Sequence, residues 1–357
     1  MGIHRDFRRD LGAWGRGLRK EGFCYNEHAA HVPSSHGGSR RFESYSAHQH
    51  RVRSESSGLS DASLCAMNAV LTLLLLCLVQ PLVVAAEEIG TLTLVEGPLH
   101  VIRGTTVLQG AEGVKLHQGD IVESSNPGFA QLELRGGVVV ALGPSTRVFF
   151  VSHAAKNTEM FVLDGWLKAE TGPNAGRYRY SSPFLAATTT DGTVVLHVLG
   201  EGADIFVESG SAGISKVSPE GNVGISGAAR AGQFFSRHAG QGINISPRPS
   251  SAFVEPMPRP FRDTLPSRLS RFSGKPPEPR RDHEVTYSEI QPWLTIGQSW
   301  RKGFIDRFQP RLKDAEFRKA LEAHLKDHPE WDPILHPENH PKTAPAAADD
   351  PDREHRR

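Results

Sequence analysis

Phe129–Val148 reads FAQLELRGGVVVALGPSTRV, and this stretch decides the fold. Ala130-Gln131-Leu132-Glu133-Leu134 alternates apolar and polar side chains, which puts one set on each face of a strand. Gly136-Gly137 interrupts the run, Val138–Leu142 resumes it as a β-branched block, and Gly143-Pro144 stops it. Two short strands joined by a glycine turn are the signature of an antiparallel hairpin. The same rhythm extends outward in both directions from Ile89 to about Phe235. Further β-rich runs are Thr91–Val95, Leu99–Arg103, Asp120–Glu123, Arg147–Val151, Met160–Leu163, Val194–Val198 and Ile205–Glu208. Breaks fall at Gly110–Gly113, Asn126-Pro127-Gly128 and Asp191-Gly192, with no helical segment between them. Strands at this spacing predict a mainly β domain over residues 87–245, a stack of short strands of solenoid or sandwich type.

Upstream lies Leu71–Ala86, LTLLLLCLVQPLVVAA, an uncharged run followed at once by Glu87-Glu88. It is shorter than the roughly 20 residues of a spanning helix and is broken by Gln80-Pro81. Val84-Ala85-Ala86 supplies small residues where signal peptidase cuts, so residues 67–86 read as a signal peptide with cleavage between Ala86 and Glu87. If the segment is not cleaved, it is a single membrane helix with Arg51 and Arg53 on the cytoplasmic side. Either way the rest is exported, to the periplasm or to the periplasmic side of the inner membrane. A lipoprotein is excluded because Cys77 follows three leucines where small residues are needed.

Residues 1–66 hold only seven aliphatic side chains among Arg, His, Ser and Gly. That is too little apolar surface to offset chain entropy. The segment reads as a mis-assigned start ahead of Met67, with a disordered tail or a basic arm as rivals.

The whole chain carries 41 Lys and Arg against 40 Asp and Glu, a formal charge of +1, so it is not built to wrap nucleic acid. Three cysteines make no disulfide framework, and none follows Ala86. The exported part therefore depends on an ordinary hydrophobic core.

Residues 246–292 hold ten of the 25 prolines, interleaved with arginines, and predict an extended, semi-rigid linker. Residues 293–335 then turn helical. Trp300, Phe304 and Phe308 recur at helical spacing before Pro310, and Asp314 is placed to N-cap a second helix carrying Phe317, Leu321 and Leu325. Such short helices are not stable alone, so this stripe must pack on something. It is a candidate partner surface, or it docks on the chain's own β domain. Self-docking is favoured because exposed apolar patches are rare on monomers. Residues 336–357 read as a disordered tail.

No phosphate loop, nucleophile elbow or cysteine site is present in the sequence. His324 and His328 share a helix face but lack the glutamate of zincin chemistry, and read as structural. Asp164 and Asp191 each precede a glycine and read as turn formers; Trp166 reads as core rather than a sugar platform. No catalytic set, metal or cofactor is expected, and the chain is read as a non-enzyme.

The order of these elements resembles the FecR domain. The residues that carry the likeness are Gly119-Asp120-Ile121-Val122-Glu123-Ser124, Gly128-Phe129-Ala130, the Arg135-Gly136-Gly137 turn and Gly143-Pro144-Ser145-Thr146. Phe161–Leu167 and Thr190–Val194 fit its continuation, so the likeness covers about residues 90–208. It implies an exported β fold of short stacked strands. The best-known members pass a signal from an outer-membrane receptor to a cytoplasmic sigma factor. The chain departs from them in its leader and its helical tail. The first reading is thus a periplasmic binding or sensing module whose partner is an envelope protein or glycan. A membrane-anchored sigma regulator is the alternative and an envelope hydrolase the third.

Overall fold

The computed structural model describes residues 87–154 and 157–340. The leader, the apolar segment with Ala86, and residues 341–357 lie outside the described residues. Among the described residues no helix is long and apolar enough to cross a membrane.

The chain is mainly β, as the alternation predicts. The first strands are β1 (Glu88–Glu96), β2 (Leu99–Arg103), β3 (Thr106–Gln109), β4 (Lys115–His117), β5 (Ile121–Ser124), β6 (Phe129–Leu134), β7 (Val138–Leu142) and β8 (Arg147–Ala154). Then come β9 (Asn157–Thr171), β10 (Arg177–Ser181), β11 (Leu185–Leu199), β12 (Gly202–Lys216), β13 (Gly227–Arg230), β14 (Phe234–His238), β15 (Asn244–Ser246) and β16 (Arg280–Glu284). All belong to one hydrogen-bonded sheet. Pairing is antiparallel throughout except between β10 and β9.

Strands β9, β11 and β12 are longer than the sequence runs suggest, because each crosses between two halves of the sheet. Up to Asp164, β9 pairs with β8 and β10; from Gly165 onward it pairs with β7 and β11. The bend needs glycine. Gly165 has φ +89, and a Cβ there would lie 2.5 Å from the Thr146 Cα. Gly192 and Gly210 face each other at the matching bend of β11 and β12.

Doubling over encloses one core. Val138, Val140 and Leu142 of β7, Val148 and Phe150 of β8, and Val194, Leu196 and Val198 of β11 all point into it. The residues between them point outward, and these outward faces are covered too. On one side Phe129, Val139, Ala141, Trp166 and Val195 pack under residues 253–265. On the other Ile102, Val107, Ile121 and Phe161 pack under the C-terminal helices. This explains why every residue of β6 and β7 is buried.

Residues 246–292 are therefore a packed strap and not the extended, semi-rigid linker that the proline content predicts. Phe253, Met257, Phe261 and Leu265 fall at every fourth position and are all buried. Between them the strap backbone bonds to the polar side chains of the face beneath. Lys168 Nζ donates to the Phe261 and Asp263 carbonyls at 3.0 and 2.9 Å. Glu170 accepts from Leu265 N at 2.8 Å and Gln131 Nε2 donates to the Pro266 carbonyl at 2.8 Å. Glu133 accepts from Ser267 Oγ and Arg268 N at 2.6 and 2.5 Å. Beyond the strap, β16 adds to the sheet edge at β3.

The tail forms helices over Tyr287–Leu294, Gln298–Phe308 and Ala315–Ala323. The first begins inside the expected linker and is capped by Thr286, whose backbone N donates to Glu289 at 2.7 Å. Asp314 caps the third as the sequence predicts, accepting from Glu316 N and Phe317 N. The candidate partner stripe is taken up by the chain itself. Phe304, Phe308, Phe317 and Leu321 are buried in the cluster with Ile121 and Phe161, and half-buried Trp300 and Leu325 pack against it. Residues Pro337–Asn339 form a 3₁₀ turn.

Phe261 stands edge-on to Phe129 and Trp166. Phe261→Ala should lower stability in urea unfolding by about 3–5 kcal/mol, the usual range for a buried aromatic. Trypsin should then cut faster at Arg262 and Arg268.

Candidate functional site

Three turns meet at one end of the doubled sheet. They are Gly143-Pro144-Ser145 between β7 and β8, the Asp164-Gly165-Trp166 bend in β9, and the residues after β5. Two buried hydroxyls join them. Thr146 Oγ1 donates to the Gly143 carbonyl and accepts from Trp166 N, both at 2.9 Å. Ser124 Oγ donates to the same Gly143 carbonyl at 2.6 Å and accepts from Thr146 N at 2.9 Å. Ser145 is held at φ 50, a left-handed conformation costly for a non-glycine residue, by its N–H to the Ser125 carbonyl.

These turns open a cleft of about 780 Å³. Pro98, Pro144, Pro256 and Pro258 form apolar walls, and Leu199, 72% exposed, stands at its rim. Arg147 lies between two carboxylates, with Nη1 3.3 Å from Asp164 and Nε 3.8 Å from Glu123. Burial pushes the Glu123 carboxyl up, against the hydrogen bond from Trp293 Nε1 and the charge of Arg147 that favour ionisation. Burial also raises Asp164, opposed by Arg147. Asp164 is thus more than the turn former that its glycine neighbour suggests.

Trp166 is core, as the sequence predicts. His197 stacks on one face at 3.8 Å between centroids, and Phe253 of the strap lies 5.1 Å away. Burial between these rings pushes the His197 imidazole down to about 4. Ser124 is committed to the turn, its hydroxyl bonded to the Gly143 carbonyl and to Thr146 N.

The other motif residues lie elsewhere. Gly119 and buried Asp120 form the turn before β5, where Arg103 grips the carboxylate at 3.0 and 2.7 Å. Gly136 and Gly137, at φ +88 and +79, make the β6–β7 turn, so glycine supplies there what an Asp-Gly turn would. The tail histidines do not converge. His328 is fully buried and bonds the Tyr287 hydroxyl at 2.9 Å, while His324 stacks on the same ring. Among the described residues no group of three or more His, Cys, Asp or Glu side chains is arranged to hold a metal ion. Glu123, Arg147 and Asp164 carried no local signal as a group. Their one trace in the sequence is charge within runs that are otherwise apolar.

No family model matches the sequence, and no curated protein matches it. Two crystal structures of a Parabacteroides distasonis ATCC 8503 protein, provisionally named an anti-sigma factor, align with TM-score 0.31 at 10% and 11% identity. The alignments cover 36% of this chain and 59% of that one, so less than two thirds of its length is matched. A likeness of that strength carries no argument about function.

The lowered His197 pKa has a sign that can be checked. A base depressed in the folded state contributes stability above its ordinary value of about 6.5, and this is lost as pH falls through the folded value near 4. Melting temperature should therefore drop over that window. His197→Phe, which keeps a ring on Trp166, should flatten this part of the profile.

Proposed function

We propose that the chain is a non-enzymatic, FecR-like binding module of the cell envelope, exported to the periplasm, and that its cleft takes an extended segment of an envelope protein. The observation that carries this is the meeting of the Gly143-Pro144-Ser145 and Asp164-Gly165-Trp166 turns around the Arg147 cluster. The sequence separates these turns, and buried hydroxyls pin them together at the cost of a strained Ser145. Proline walls and an exposed leucine favour apolar side chains, while Arg147 with its two carboxylates offers donors and acceptors to a peptide backbone. A glycan is the weaker choice because His197 covers the Trp166 face that a sugar would stack on.

The test is a photo-reactive phenylalanine at Leu199 in intact cells, with the same residue at fully exposed Ile225 as the control position. The reading requires a discrete protein adduct at Leu199 that is lost on Arg147→Gln and absent at Ile225. A sugar-bearing adduct would move the assignment to a glycan. Equal labelling at both positions, or none at Leu199, would remove the cleft as the binding site.

A further inference from the structure

A second cavity, about 570 Å³, lies between the outer face of the sheet and helix Gln298–Phe308. Its walls are Phe149 and Val151 from β8 and Trp300 and Phe304 from the helix. At one end sits Arg307. Its guanidinium donates to the carbonyls of Ile102, Gly104 and Gly119 at 2.8, 2.9 and 2.6 Å. It also lies 5.0 to 6.0 Å from the Phe308, Phe149 and Phe304 ring centres. None of these partners is an anion. Asp120, the acid nearest in the lining, is already gripped by Arg103 through two bonds. Burial lowers Arg307 to about 10, which leaves it charged at neutral pH. His117, also in the lining, is held below its usual range by burial and by Arg103, which disfavours its charged form. The charges of the lining therefore sum to one positive, since Asp120 is shared by Arg103, which it pairs, and Arg307, which it also attracts, and Arg307 keeps N–H groups beyond the three it has given to carbonyls.

Gly303 is the second, independent observation. It sits in the interior of the helix, where glycine is among the least favoured residues. A Cβ at this position would meet nothing within 4 Å, and Gly303 lines the cavity. Neither backbone conformation nor packing calls for glycine there. Gly303 is exposed, and with no side chain it leaves open space at this edge of the cavity.

We propose that this cavity binds a single carboxylate carried on an apolar group, with Arg307 facing the carboxylate and the Phe149, Val151, Trp300 and Phe304 wall facing the apolar part. The volume suits a small ligand, and one net charge in an apolar seam suits a monoanion over a dianion. The carboxylate comes either from a small organic acid or from the C-terminus of a peptide. The site is separate from the Arg147 cleft and does not depend on what that cleft binds.

Titration calorimetry on the full chain tests it with four probes: phenylacetate, phenylacetamide, and acetyl-Ala-Ala-Phe with a free or an amidated C-terminus. At least one acid should bind saturably, and its amide should bind at least about tenfold more weakly. Binding of phenylacetate assigns the site to free acids; binding of the peptide acid alone assigns it to chain ends. Gly303→Leu should weaken the acid by at least about tenfold while the melting temperature holds or rises, since leucine is the better helix former. That variant separates loss of the site from loss of the fold, which Arg307→Gln alone does not. Equal binding of acid and amide, unchanged binding by Gly303→Leu, or no saturation by any probe up to about 10 mM overturns the proposal.

Discussion

The ammonium of Lys168 is wholly buried, and the arrangement of the molecule follows from how it is satisfied. Its partners are the Phe261 and Asp263 carbonyls and the carboxylates of Glu208 and Glu170, at 2.9 and 3.5 Å. Taking such a charge from water costs several kcal/mol unless hydrogen bonds and counter-charges replace the solvent. The strap supplies half of that replacement, so the sheet and the strap are not separable parts. The opposite face repeats the device with Arg307, which gathers the carbonyls of Ile102 in β2 and of the turn residues Gly104 and Gly119 from the helical side. Residues after 246 thus cover both outer faces of the doubled sheet, each cover joined to it by a set of aromatic anchors and by one cation, Lys168 or Arg307, bonded to backbone carbonyls across the contact.

This arrangement explains which parts of the fold can be read locally. The runs Leu99–Arg103 and Val138–Leu142 are strands with those same bounds, and Ala130–Leu134 is one with Phe129 added, because apolar alternation and glycine turns are properties of neighbouring residues. Asp314 is likewise legible as a cap, since the N–H groups it serves are two and three residues away. The strap is not. Gln131 and Glu133 look like a solvent face, yet they are 1% and 4% exposed, because their partners lie more than 130 residues on. The trace of that contact is the four-residue spacing of Phe253, Met257, Phe261 and Leu265, which proline and arginine content conceals.

The cleft is legible to a similar degree. Gly143-Pro144-Ser145 announces a turn and forms one, whereas Asp164-Gly165 announces a turn and forms a bend inside β9. That they meet, and that Arg147 lies between Glu123 and Asp164, depends on the bend at Gly165 and on the buried hydroxyls of Thr146 and Ser124. Serine and threonine in strand-end positions are too common to mark such a junction. Burial of the strap over Trp166 also fixes the cleft's character, since it hides the aromatic face and leaves prolines and charge at the surface.

The central claim is that strap and sheet form one cooperative body. Native-state amide hydrogen exchange tests it at Leu265 and Arg268, whose N–H groups are bonded to Glu170 and Glu133. The account predicts that both open with the same free energy as Val140 in the middle of β7, through global unfolding. Exchange at Leu265 and Arg268 orders of magnitude faster than at Val140 would show a strap that lifts freely, and would contradict it.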